Sequence, residues 1–149
     1  MLLDYPQKLK QIIEILQSTE HQSDRAQMLI DYANKFQEVP ASIAQRPFSE
    51  QNKIPACESD AYIWAIDNPD HTLKFYFAVE NPSGISAKAL AVILDTALSG
   101  LHTDDIIKIE PELVYDIFRQ NISMGKGLGL MSMVGAVKTL AEQRLMRKK

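Results

Sequence analysis

The sequence predicts an α+β fold in a single domain, residues 1–149, with a small antiparallel β-sheet packed against N- and C-terminal helices. Three observations lead there. Apolar residues recur with helical spacing over the first forty positions and again from about residue 86 onward, while the pattern changes to strand-like runs only between Ala61 and Val79. Strands segregated in this way belong to α+β architecture and not to a parallel βαβ array. At 149 residues and 46% hydrophobic, the chain has the size and composition of one globular domain that buries a continuous core.

From Asp4 to Gln17 the residues Leu9, Ile12, Ile13 and Leu16 fall at i, i+3, i+4 and i+7, one face of an amphipathic helix. Ser18 to Ser23 is a polar break. A second helix runs from about Asp24 to Glu38 with Met28, Leu29, Tyr32, Ala33 and Phe36 on its buried face, and Val39-Pro40 ends it because proline cannot continue the ladder. Pro40 to Lys53 shows no clean period, and Pro40, Pro47, Ser49, Gln51 and Asn52 mark a long connection of the kind that often carries function. Ala61 to Ile66 reads as a strand, Asn68-Pro69-Asp70 as a turn, and Leu73, Phe75, Phe77 and Val79 alternate along a second strand. This hairpin is expected to pack one face on helices and leave the other partly solvated.

Asn81-Pro82-Ser83-Gly84 opens a helix from about Ser86 to Ser99, striped by Ala87, Leu90, Ala91, Leu94 and Leu98 and closed by Gly100. Thr103 is expected to cap a short helix with Asp104 and Asp105 at its positive end. Pro111 starts another through Val114, Ile117 and Phe118. Asn121 to Gly129 reads as a glycine-rich loop. A last helix from Leu130 to about Arg147 carries Val134, Val137, Leu140 and Ala141, with Arg144, Arg147, Lys148 and Lys149 at its negative end.

Sixteen Lys plus Arg against nineteen Asp plus Glu leave a net charge of −3, which supplies no general attraction to nucleic acid or anionic lipid. Neither is an expected partner. Met1-Leu2-Leu3-Asp4-Tyr5-Pro6 lacks the basic start and apolar run of a secretory signal, and no stretch approaches the roughly 18 apolar residues of a membrane span. Together with a single cysteine, this predicts a soluble protein of the cytoplasm or another reducing compartment.

That cysteine, Cys57, lies in Lys53-Ile54-Pro55-Ala56-Cys57-Glu58-Ser59-Asp60, between a polar loop and the first strand. No internal disulfide is available to it, so any thiol chemistry involves another molecule. On residue type alone a lone cysteine is more often a packing residue than a reactive one. Lys53, Glu58, Ser59 and Asp60 indicate a solvated neighbourhood; Lys53 would favour the thiolate, and Glu58 and Asp60 would oppose it if they point toward the sulfur, so the sequence leaves the sign of the effect open. Gly125-Lys126-Gly127-Leu128-Gly129 departs from the spacing of a phosphate-binding loop, leaving either a turn with a solvated lysine or a loop whose Lys126 reaches a partner or the Cys57 region. His21, His71 and His102 lie in three connections without metal-ligand spacing, so no metal is expected. There is no nucleophile elbow. Trp64, Phe75 and Phe77 are expected in the core.

Asn52 to Tyr62, with its Cys57-Glu58-Ser59 centre, resembles the cysteine motif of the SufE family of sulfur-acceptor proteins in iron–sulfur cluster assembly. Arg25 through Leu29-Ile30-Asp31-Tyr32-Ala33 to Val39-Pro40 resembles the family helix ending in Leu-Pro, Lys88-Ala89-Leu90 its Lys-Gly-Leu, and Lys126 to Met133 its Arg-Ser-x-Gly-Leu-x-x-Met. The resemblance implies that this protein binds a partner, a SufS-like cysteine desulfurase, which is a pyridoxal phosphate enzyme. It implies that Cys57 accepts persulfide sulfur and passes it to an iron–sulfur scaffold, with no cofactor of its own and as an accessory protein instead of a stand-alone enzyme. A thiolate attacks a sulfur–sulfur bond directly, which agrees. Lys126 stands where the family has arginine and is implied in docking or sulfur polarisation; Lys53, Ser59 and Ser83 are the further candidates. Ala56 replaces the usual glycine before the cysteine, Ser83 falls on an acidic position, and Tyr62 on the Trp or Tyr position. The alternative reading is a non-catalytic module of the same fold that docks without carrying sulfur; a weaker one is a nucleotide-binding enzyme using the glycine-rich segment.

Overall fold

The structure, a computed structural model, describes residues 4–57 and 59–147. Met1 to Leu3, Glu58, Lys148 and Lys149, which the sequence reading used, lie outside the described residues. The α+β architecture is as expected. Two helices, α1 (Gln7–Ser18) and α2 (Gln22–Asn34), precede the strands β1 (Ala61–Asp67) and β2 (Leu73–Val79); then come α3 (Ile85–Leu98), α4 (Thr103–Ile106), α5 (Leu113–Phe118) and α6 (Met124–Arg147). The strands pair antiparallel, with Ala61 opposite Val79 and Ala65 opposite Phe75.

Because side chains alternate across a strand, Ala61, Ile63, Ala65, Phe75, Phe77 and Val79 share one face and enter the main core. Opposite them lies α3, which buries Ala87, Ala89, Leu90, Ala91, Ile93, Leu94, Ala97 and Leu98. A helix apolar on nearly every side must be covered nearly all round, and α3 packs against α1, α2, α6 and β2. Leu90, Ile93, Leu94 and Leu98 are fully buried, each contributing about 1.5–3 kcal/mol of transfer free energy. This anchoring fixes the direction of α3, whose start faces the end of β2.

The other sheet face is more covered than alternation implies. Val39, Phe48, Tyr62 and Ala78 form a second buried cluster, with Ile43, Ala44, Trp64 and Tyr76 packed on it. Trp64 is therefore half-buried on the outer face, against the expectation of a core residue under helices: its ring lies 5.1 Å from that of Phe48 and stacks on Tyr62 at 6.3 Å. Phe75 and Phe77 are core as expected. The long connection after α2 supplies this cover. Val39 N–H donates to Phe77 C=O (2.9 Å), and Arg46 donates to Glu38 (2.8 Å) and Glu80 (2.9 Å), tying the segment down.

Three local expectations are corrected. α2 ends at Asn34 rather than Glu38, because the chain leaves the helix to reach the edge of β2 through Val39. Thr103 is the first helical residue of α4 and buried, with His102 in the cap position and no side-chain cap bond. Gly125 to Gly129 is no loop: it forms the opening turns of α6, capped by Ser123, whose Oγ accepts from Lys126 N–H at 3.2 Å. Gly127 serves contact, since a Cβ there would lie 3.2 Å from the Tyr115 hydroxyl.

Candidate functional site

Cys57 sits on a loop held at both ends. On the upstream side Ile54 is buried, its N–H donates to Ala61 C=O (2.8 Å), and Lys53 bridges to Tyr62. Downstream, Asn81 N–H donates to Ser59 C=O and Glu80 N–H to Asp60 C=O, both at 3.1 Å. Between these anchors the chain reverses through a bond from Asp60 N–H to Cys57 C=O (3.2 Å). The reversal uses left-handed backbone at Ala56 (φ 59°) and Asp60 (φ 50°). Glycine adopts that region without steric cost and alanine does not.

Two glycines admit the loop to its seat. A Cβ on Gly129 of α6 would lie 3.0 Å from Ala56 O and 3.4 Å from Cys57 Cα. A Cβ on Gly84, at the start of α3, would lie 2.9 Å from Ser59 Oγ and 2.9 Å from Val79 Cγ1. Both glycines are buried. With no side chain intervening, Cys57 is half-buried and packs against the margin of the main core.

Beside it is a cavity of about 70 Å³ lined by Cys57, Ser59, Ser83, Ser86 and Lys126, with Gly129 and Leu130 among its other walls. Four of the five sequence candidates, Cys57, Ser59, Ser83 and Lys126, thus meet around one space although Cys57 and Lys126 are 69 positions apart. Lys53 does not line that cavity: it lines an open depression on another side of the loop, which Cys57 also borders, and its ammonium faces Asp60 at 3.6 Å. Ser83 gives its hydroxyl hydrogen to Asn81 Oδ1 (2.8 Å), and its N–H donates to the same oxygen (3.0 Å). Its oxygen lone pairs remain for the cavity.

Among the described residues that line the cavity, two features carry positive charge. The N-terminal turn of α3, carrying Ser86 and Ala87, lines the cavity and presents the positive end of the helix dipole. Lys126, exposed on the first turns of α6, adds an ammonium. Such a setting favours a sulfur anion, the nucleophilic form of a thiol. Among the described residues no group of three His, Cys, Asp or Glu side chains is placed to hold a metal ion, and no helix is long and apolar enough to cross a membrane. The helical course of Gly125 to Gly129 removes the loop a phosphate would need.

Sequence reasoning missed Asn81, Gly84, Ser86 and Gly129. A signal for the early start of α6 exists against the loop expectation, because Gly127 continues the stripe of Leu130, Val134, Val137 and Ala141 back by one turn. What these glycines touch has no such signal, because each touches residues distant in sequence.

The chain matches the SufE family, described as an Fe-S metabolism associated domain, over residues 10–141. It is 22% identical over 132 residues to SufE-like protein 1, chloroplastic/mitochondrial, of Arabidopsis thaliana, covering 88% of this chain and 34% of that protein. It is 27% identical over 109 residues to the cysteine desulfuration protein SufE of Plasmodium falciparum (isolate 3D7), covering 72% of this chain and 42% of that one. The chain thus spans well under half the length of these two curated relatives. A solution structure of a hypothetical protein from Thermus thermophilus superposes with a TM-score of 0.77 at 23% identity, over 95% of this chain and 98% of the other, which establishes the shared fold. A family match over residues 10–141, on a chain that seats its one cysteine beside a cavity lined by Lys126 and the start of α3, makes this protein a member of the SufE family.

Proposed function

We propose that this protein is a sulfur acceptor: it binds a cysteine desulfurase, takes persulfide sulfur on Cys57, and passes it to a scaffold on which iron–sulfur clusters are assembled. The observation that carries the reading is the convergence of Cys57, the start of α3 and Lys126 on one small cavity, in a chain of a family associated with Fe-S metabolism. A relative named as a cysteine desulfuration protein supports it.

In the transfer, the Cys57 thiolate attacks the outer sulfur of the donor's persulfide. A new sulfur–sulfur bond forms on Cys57, the donor's own sulfur–sulfur bond breaks, and the donor cysteine departs as a thiolate that takes up a proton. No net oxidation occurs and no cofactor of this chain is required. The added sulfur bears the negative charge, which the α3 dipole and Lys126 stabilise while the cavity holds it away from bulk water. Ser83, whose hydrogen is committed to Asn81, accepts a hydrogen bond from the protonated form. Lys126 stands at the rim, where it meets an incoming partner as well. A reducing compartment suits a thiol that must not be lost to adventitious disulfides.

Incubation with a desulfurase and cysteine is expected to add the mass of one sulfur atom at Cys57, removable by reductant. Cys57→Ser is expected to abolish both that mass gain and the stimulation of the desulfurase while keeping the wild-type melting temperature. Full stimulation by Cys57→Ser would refute covalent transfer and leave a module that only docks.

A further inference from the structure

We propose that Gly129 of α6 is a positioning residue for the transfer reaction, seconded by Gly84 at the start of α3: the missing side chains set how deeply Cys57 sits. This rests on the sulfur-acceptor reading for its purpose, but its geometry stands independently. The contact at Gly129 is with backbone, Ala56 O at 3.0 Å and Cys57 Cα at 3.4 Å from the position of an added Cβ. A flexible side chain would swing away; a backbone carbonyl and a Cα move only if the whole loop moves.

Of the two elements in that contact, the loop is the one that yields. Its tip, from Pro55 to Cys57, lies outside every helix and strand, and Ala56 already occupies left-handed backbone. α6 runs without interruption for 24 residues and buries Leu130, Met133, Val134 and Val137 directly after Gly129. A methyl group at 129 therefore displaces the loop outward and brings the thiol toward solvent. Gly84 acts on the far limb through Ser59, whose Cβ lies 3.1 Å from the added atom. The depth so set is a compromise, since a deeper sulfur is sheltered and a shallower one is easier for a partner to reach.

Gly135 provides a matched control. It lies on the same helix and an added Cβ there meets nothing within 4 Å. Alkylation of Cys57 by iodoacetamide in the isolated protein, followed by mass spectrometry, reads thiol exposure without any partner. Gly129→Ala is expected to accelerate alkylation about three- to tenfold, Gly84→Ala to accelerate it less, and Gly135→Ala to leave it unchanged. With a desulfurase, Gly129→Ala should change KM for the protein by a similar factor, with kcat altered less.

An alkylation rate for Gly129→Ala within twofold of wild type would overturn the proposal. So would an equal acceleration by Gly135→Ala, which would show a general effect of helix composition. A Gly129→Ala protein that fails to fold would overturn it too, because the proposal requires the loop and not the helix to give way. Failure of the sulfur-acceptor reading looks different: alkylation would follow the expected order while Cys57→Ser still stimulated the desulfurase.

Discussion

Replacing Ala56 with glycine tests whether the cysteine loop is built against the preference of its own residues. Ala56 has φ 59°, and an L-residue with a Cβ in that region carries about 1–2 kcal/mol of steric cost. Glycine removes the cost but frees the unfolded chain, which takes back about 0.4–1 kcal/mol. The net expectation for Ala56→Gly is a stabilisation of about 0.5–1 kcal/mol, or a rise in Tm of about 1–4 °C for a domain of this size. At an ordinary alanine the same change has the opposite sign, since glycine inside a regular element costs about 0.5–1 kcal/mol. Urea denaturation provides the measurement: the midpoint should rise with the slope unchanged, which excludes an effect confined to the compactness of the unfolded state. A midpoint lowered by the ordinary amount would refute the reasoning, because it would mean that Ala56 does not hold left-handed backbone in solution.

Arg144 closes the free edge of β1, with Nη2 donating to Ala65 C=O at 2.8 Å and Nε facing Asp67 at 3.2 Å. Arg144→Lys keeps the charge and loses the planar fork, and should cost about 1–2 kcal/mol in a urea titration; a loss under about 0.3 kcal/mol would show that the edge draws nothing from that geometry. Burial pushes the Asp116 carboxyl above the usual aspartate value, so the folded state holds its proton more tightly than the unfolded chain. Its contribution to stability is present in full below the unfolded pKa near 3.9 and is lost as pH rises through the higher folded value. Asp116→Asn removes that titration: the decline of Tm as pH rises above about 4 should shrink, and an unchanged slope would refute the assignment.

How much of this was legible in advance follows from the range of the forces involved. The stripe Leu9, Ile12, Ile13 and Leu16, the alternation of Leu73, Phe75, Phe77 and Val79, and the Gly100 terminator each depend on neighbours within a few positions, and each appears where the pattern placed it. Gly100 has φ 89°, the conformation its residue type favours. The Cys57 motif was legible for the same reason, as a short run of residues. Where local preference competed with a distant partner, the pattern failed. α2 stops early because Val39 is drawn to the edge of β2, and Trp64 leaves the expected core because Phe48, sixteen residues upstream, covers the outer face of the sheet.

By itself, then, the sequence determined the helices, the hairpin, and a lone thiol on the loop that leads into β1, because backbone dihedrals and hydrophobic periodicity are properties of neighbouring residues. Only the tertiary structure decided what surrounds that thiol. Gly129 and Gly84 come from separate helices and act through the absence of a side chain, and a missing atom has meaning only once something is packed against the space. The cavity exists because the start of α3, the first turns of α6 and the cysteine loop meet at one point, and that meeting is set by the burial of α3 and α6 in the core, to which the lining residues Ala87 and Leu130 belong.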